Sequence, residues 1–266
     1  MRYFFVIILF FLAQHAKTQT WEIGLSAGAA NYLGDLAPTI ALNETKPFGG
    51  LFLKKNYSGY FSLAGTLSIA QISGNDQNFK SNELRNLSFR SNLIEAAFHY
   101  EFNFDKYVIG LRAKNFSPYV SVGLGFTYFI PQAELNGSWH NLRPLATEGQ
   151  NINGNLYSPV ILAMPMGGGI KWQIAERFNT TFHATYRLAF SDNIDDVSST
   201  YFDNDALTAK NGEIAAQLAD RSVLKNKAGY QRGNSKNHDW YMFTGITISY
   251  ILADPNCPNP AGTRRR

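Results

Sequence analysis

An alternation of period two recurs eight times along the chain, and connections of strongly unequal length join the repeats. Phe178, Phe182, Ala184, Tyr186, Leu188 and Phe190 share one face, while Asn179, Thr181, His183, Thr185 and Arg187 take the other. Phe61, Leu63, Leu67 and Ile69 alternate with Ser62, Thr66 and Ser68 between Tyr60 and Ile72. Ile94, Ala96, Phe98, Tyr100 and Phe102 oppose Glu95, His99 and Glu101, and Val120, Val122, Leu124, Phe126 and Tyr128 oppose Ser121, Gly123, Gly125 and Thr127. Weaker alternation covers Trp21–Ala30, Phe48–Lys55, Val160–Ile174 and Asp239–Leu252. Side chains of a strand point alternately to its two faces, so these segments are strands with one apolar and one polar face. Strands two and eight carry bulky residues on both faces, which leaves their register open.

Connection lengths carry the next inference. Residues 31–47, 73–86, 131–156 and 192–238 are long links, whereas 56–59, 103–117 and 175–177 are shorter. Short turns on one end and long loops on the other are the mark of bacterial outer-membrane barrels, whose strands of about nine to eleven residues cross the bilayer at a tilt. The expected fold is therefore all-β: an eight-stranded antiparallel transmembrane barrel with long extracellular loops and both termini in the periplasm. Closure is a physical requirement, since hydrocarbon satisfies no free strand edge. A soluble sandwich or lipocalin-like barrel also alternates, but it would have to bury the large aromatic faces.

Composition agrees. Aromatics make up 14% of the 266 residues and charged residues only 17%, against about a quarter charged in ordinary soluble domains. With a mean hydropathy of −0.21, the chain is not a bundle of membrane-spanning helices. Met1–Arg2, the apolar run Tyr3–Ala13 and the polar stretch Gln14–Gln19 have the layout of a secretory signal peptide. Residues 1–19 are read as that signal, 20–252 as the barrel and 253–266 as a periplasmic tail. Removing Arg2 and Lys17 leaves 22 basic residues against 20 acids, and three of those bases are Arg264, Arg265 and Arg266. The body is close to neutral, so the pI of 9.0 is no argument for nucleic acid.

By parity Glu95, His99, Lys171, His183 and Arg187 face the lumen. An eight-stranded barrel is just wide enough for side chains to fill, so these residues read as a structural polar network. A lumenal histidine beside a hydroxyl or carboxylate is also how a lipid-modifying barrel enzyme would be built. No Gly-x-Ser-x-Gly motif is present, and no catalytic, cofactor-binding or metal-binding residue is assigned. The acids Asp192, Asp195, Asp196, Asp203 and Asp205 lack the spacing of a calcium loop and read as solvated turn formers. Gly167–Gly169 has no following Lys-Ser/Thr and marks a strand bend or close backbone approach rather than a phosphate loop. Within 205–221, Ala206, Leu207, Ile214, Ala215 and Leu218 suit one short amphipathic helix. Gly245, Ile248 and Tyr250 resemble the terminal-strand signal of outer-membrane proteins, with Phe243 where that signal prefers a polar residue. Cys257 sits in the stiff stretch Asp254-Pro-Asn-Cys-Pro-Asn-Pro260. It is either a tolerated free thiol or a disulfide link to a partner protein.

Five stretches in the same order carry a family resemblance. They are Gly28-Ala-Ala-Asn-Tyr-Leu-Gly-Asp-Leu36, Pro118-Tyr-Val-Ser-Val-Gly-Leu-Gly125, Thr147-Glu-Gly-Gln150, Asp192-Asn-Ile-Asp-Asp-Val-Ser-Ser-Thr-Tyr201, and Arg232-Gly-Asn234 followed by Asp239-Trp-Tyr241. In these the chain resembles the PorG-like outer-membrane barrels of the Bacteroidetes type IX secretion system. The resemblance implies a non-enzymatic barrel, without cofactor, that anchors or organises a periplasmic ring of a lipoprotein and its partner. The machine exports proteins with a C-terminal signal and, in gliding species, serves motility. Topology makes the periplasmic turns and tail the accessible surfaces for such partners, through Lys54, Lys55, Lys106, Arg177 and Cys257. The alternatives are a surface barrel that binds or adheres through its outer loops, and a lipid-modifying enzyme.

Overall fold

The alternating segments are strands. The computed structural model describes residues 20–80, 82–107, 115–222 and 225–252. Its strands are β1 (Thr20–Leu33), β2 (Lys46–Asn56), β3 (Phe61–Asn75), β4 (Ser88–Asn103), β5 (Phe116–Leu135), β6 (Ser138–Asn141), β7 (Val160–Gln173), β8 (Phe178–Ala189) and β9 (Trp240–Ile251). Sequential neighbours pair antiparallel, β5 meets β7, β9 meets β1 and β4 meets β5, so the sheet closes on itself. Eight strands form the wall, because β6 pairs only with the far end of β5. The connections 34–45, 76–87, 136–159 and 190–239 lie at one end, called here the loop end. The connections 57–60 and 174–177, and the described ends of the link between β4 and β5 (104–107 and 115), lie at the other, the turn end.

Two details differ from expectation, each for a local reason, and one left open is settled. The link after the fifth strand is partly strand: Asn136 (φ 52°) and Gly137 (φ 78°) make the left-handed two-residue turn that favours Asn-Gly hairpins, which carries β5 on to Leu135 and returns β6. The single helix expected within 205–221 is two, α3 (Asn204–Asn211) and α4 (Glu213–Ala219), broken at Gly212 with φ +88°; α1 (Leu142–Leu145) and α2 (Gln150–Asn153) are single turns in the preceding loop. The register of the bulky strands is also resolved. Phe48, Phe52 and Lys54 of β2 and Tyr241 and Phe243 of β9 point inward, while Leu51, Leu53, Ile246 and Ile248 point out.

The outward face is an apolar belt, with Leu25, Ile69, Phe98, Leu124, Phe126 and Phe182 each at least half exposed. Aromatics ring its turn end, where Lys55 lies 5.4 Å from the Trp21 ring centroid and 5.1 Å from that of Tyr57. A ring of strands without a free edge, wrapped in such a belt, is satisfied only in hydrocarbon. The chain is a transmembrane β-barrel of the outer-membrane type.

The interior changes character along the axis. Near the turn end it is polar, with Glu22, Lys54, Glu101, Lys171, Asn179 and Ser249 all buried. Towards the loop end it becomes an apolar core of Phe48, Ile72, Phe89, Leu93, Phe129 and Phe243, continuous with Leu36, Leu142, Ile194, Val197 and Leu218 of the loops. Not every aromatic residue therefore faces lipid: those of the upper lumen build a soluble-type core that seats the loops.

Candidate functional site

Two groups of residues compete for functional weight: the lumen network and the loop-end cap. In the lumen, parity holds for all five expected side chains. Glu101 accepts from Lys171 Nζ at 2.6 Å and Lys54 Nζ at 3.0 Å. Glu95 faces Arg187 Nε at 3.3 Å and accepts from the Tyr241 hydroxyl at 2.6 Å. Glu22 collects Asn56, Asn179 and Ser249 at 2.6, 3.0 and 2.8 Å. Arg187 also stacks over Phe243, 3.9 Å from its centroid, and contacts the Thr185 hydroxyl. The histidines meet hydroxyls of threonine, His99 Nε2 at 3.1 Å from Thr66 and His183 Nδ1 at 3.4 Å from Thr247. The cavity between them holds only about 70 Å³. The arrangement neutralises buried charge and fills the bore.

The turn-end surface is smaller than expected. Lys54 does not belong to it: strand parity turns it inward onto Glu101, leaving it 6% exposed. Lys55 lies among the aromatics of the girdle, Lys106 is exposed, and Arg177 is exposed with Nη1 donating to the Tyr250 hydroxyl at 3.1 Å. Cys257, the tail and the signal segment lie outside the described residues.

The loop end is where distant sequence converges. Arg85 grips Asp76 with two nitrogens at 2.6 and 2.8 Å, and donates to the Asp35 carbonyl at 2.7 Å and the Arg232 carbonyl at 2.6 Å, so one guanidinium ties three loops. Arg232, 3% exposed, donates to Glu148 at 2.8 Å, to the Asp196 carbonyl at 2.6 Å and to the Ala219 carbonyl at 3.0 Å. Glu148 also accepts from the backbone N–H groups of Ser198 and Ser199 (2.9 and 3.2 Å) and from both hydroxyls (2.9 and 2.6 Å). Burial pushes the Glu148 carboxyl up, but Arg232 and these donors outweigh it and hold the group below its ordinary value. Asp196 accepts from Thr147 at 2.6 Å and Tyr157 at 2.7 Å, and burial lifts it to about 6.

One contact fixes a proton. The Tyr32 hydroxyl is 2.6 Å from Asp195 Oδ2 and 2.6 Å from Asp239 Oδ1. A single phenolic hydrogen serves one of them, so the other contact requires a protonated carboxyl. Burial and the mutual repulsion of neighbouring acids push Asp195 well up, and burial raises Asp239 too. Asp192, its buried Oδ2 without a partner, is pushed up to about 9 by burial, then by Asp195 and Asp35. Asp192, Asp195 and Asp196 are therefore buried, against the solvated reading; Asp203 caps α3 by accepting from Ala206 N–H at 2.9 Å, and Asp205 is exposed. Among the described residues no group of three or more His, Cys, Asp or Glu is placed to hold a metal.

The stretches that carry the sequence resemblance supply most of this cap: Tyr32, Asp35, Thr147, Glu148, Asp192 to Ser199, Arg232, Asn234 and Asp239. Arg85 and Asp76 lie outside them, and in sequence both read as ordinary loop charges; only their pairing across nine residues reveals them. Residues 1–219 match the family described as "Domain of unknown function (DUF6089)". The chain belongs to the DUF6089 family. That match takes in the cap residues through Ala219 and stops short of Arg232, Asn234 and β9. No curated protein matches this DUF6089 chain. Among solved structures it is similar to the outer membrane protein OprG from Pseudomonas aeruginosa (9% identity, 89% of this chain and 98% of that one, TM-score 0.41). It is also similar to Neisserial surface protein A (9%, 88% and 99%, 0.40) and to Ail, the attachment invasion locus protein of Yersinia pestis (10%, 88% and 97%, 0.38). Likeness at this level carries no functional argument.

Proposed function

We propose that this DUF6089 protein is a non-enzymatic outer-membrane component of the type IX protein secretion machinery, and that it anchors or organises the periplasmic ring built from a lipoprotein and its partner. The observation that carries the reading is the convergence of the resembling stretches. Four of the five lie up to about two hundred residues apart yet contribute to one buried, mutually bonded cluster, in which Tyr32 reaches Asp239 across 207 residues, while Pro118–Gly125 lies in the wall on β5. A likeness spread over chance positions would not assemble in this way. Lys106 and Arg177 are exposed at the turn end, which supports assigning periplasmic partners to that face, and a Cys257 disulfide is a further proposed route of attachment. The non-enzymatic part of the proposal is supported by the lumen, where the two histidines have threonine neighbours and a space of about 70 Å³, too small for an acyl chain.

The test is affinity purification from membranes in mild detergent. The ring lipoprotein is expected to co-purify in amounts comparable to the barrel. Its absence, with the barrel folded and intact, would contradict the reading and favour a surface-binding role for the outer loops.

A further inference from the structure

Between the cap and the lipid side of the wall, the loops overhang the barrel and form a cleft of about 1300 Å³, lined on its inner side by Asp35, Arg85 and Arg232 of the cap. Its floor is barrel surface. Leu33 of β1 and Leu188 of β8 are both register partners of Trp240 on β9, and Tyr186 continues the row down the wall. Its roof belongs to the last loop, with Lys236, Asn237 and His238 exposed along its edge. Tyr186 (40% exposed) and Leu84 (84% exposed) lie on the open side. The cleft is thus apolar where the membrane belt runs into it and polar where the belt ends.

We propose that this cleft binds an anionic glycolipid of the outer leaflet, with its acyl chains along Leu33, Leu188 and Trp240 and its phosphorylated sugar head against Lys236, Asn237 and His238. The occupant follows from three features. The floor is the continuation of the lipid-facing row, so a membrane amphiphile reaches it without leaving the bilayer. The charge at the rim suits an anion: Lys236 is exposed there, while the other two cations of the lining, Arg85 and Arg232, are paired with Asp76 and Glu148. Asp35 accepts from the Asn234 N–H and is flanked by Arg85, and burial pushes the Asp192 carboxyl up to about 9, which weakens the repulsion either offers to a phosphate. The volume exceeds the roughly 300–1000 Å³ of a pocket for a drug-sized molecule and suits a sugar head with the upper part of its chains. The inference needs only the barrel's membrane position and stands apart from the secretion proposal.

The test is native mass spectrometry of the delipidated, refolded protein titrated with purified lipid A, an acylated and phosphorylated glucosamine disaccharide, or with phosphatidylcholine. Wild type is expected to retain one lipid A with about tenfold or greater preference over phosphatidylcholine, a difference of about 1.4 kcal/mol. The double variant Lys236→Glu/His238→Glu is expected to lose that preference, while Lys227→Glu, an exposed change outside the lining residues of the cleft, keeps it. The unboiled gel shift of a closed barrel verifies folding of each variant. Failure to retain lipid A, equal retention of both lipids, or unchanged preference in the double variant would each overturn the proposal, whatever the outcome of the ring co-purification.

Discussion

Arg232 and Glu148 are the residues on which the cap depends most. Their ion pair is 2.8 Å long, with both side chains 2% exposed. Removing one partner of such a pair leaves an uncompensated buried charge and costs about 3–5 kcal/mol, whereas replacing both with apolar groups of similar volume is often close to neutral. Arg232→Ala is expected to open the cap by that amount, read as lost hydrogen-exchange protection across residues 194–199, with the barrel's gel shift intact. Arg232→Met combined with Glu148→Met is expected to restore most of it. Protection unchanged in Arg232→Ala would show that the pair does not hold the loops. The acids beside it set a pH dependence. Asp192, Asp195 and Asp239 bind their protons more tightly in the folded cap than in an open chain. Their contribution is thus full below the ordinary carboxylate value of 3.8 and falls as pH rises, and that of Asp192 is gone above about 9. Cap protection, corrected for intrinsic exchange rates, is expected to be greater at pH 5 than at pH 9. The reverse order would refute the shared-proton arrangement at Tyr32.

At the scale of elements, the wall was legible because its rule is local. Each strand has to present one face to lipid, so alternation alone placed all eight and assigned Glu95, His99, Lys171, His183 and Arg187 to the lumen. Lys54 shows the limit: beside Lys55 near a turn it reads as surface, and only the register pairing Lys54 with Glu22 and Ala64 turns it inward onto Glu101. The cap was not legible as a structure: the resembling stretches contain most of its residues, but nothing local pairs them. Much of its stability comes from partners far apart in the chain, such as Thr147 with Asp196 (49 residues) and Tyr32 with Asp239 (207 residues), and a buried loop acid has the same local sequence as a solvated one. The glycines of β7 lie between these cases. Gly167–Gly169 indeed mark a close backbone approach: a Cβ on Gly169 would lie 2.0 Å from the Phe182 carbonyl oxygen. Gly169→Val is expected to force β7 away from β8 and abolish the gel shift of the closed barrel in membranes. A normal shift at normal yield would show that the wall yields more readily than its geometry indicates.

For the whole molecule, the division of labour follows the bilayer. An apolar belt holds the barrel in hydrocarbon, a polar network fills the lower bore, and an apolar core in the upper bore seats four loops locked together by Arg85, Arg232 and the Tyr32 acids. Among the described residues the lumen leaves a cavity of only about 70 Å³, in keeping with the anchoring role proposed above. The claim that it serves export through the type IX machinery is tested most directly by deleting its gene and measuring the extracellular amount of proteins that carry the C-terminal export signal. These proteins are expected to disappear from the outside and to return when the wild-type chain is supplied again; undiminished export in the deletion strain would contradict that role.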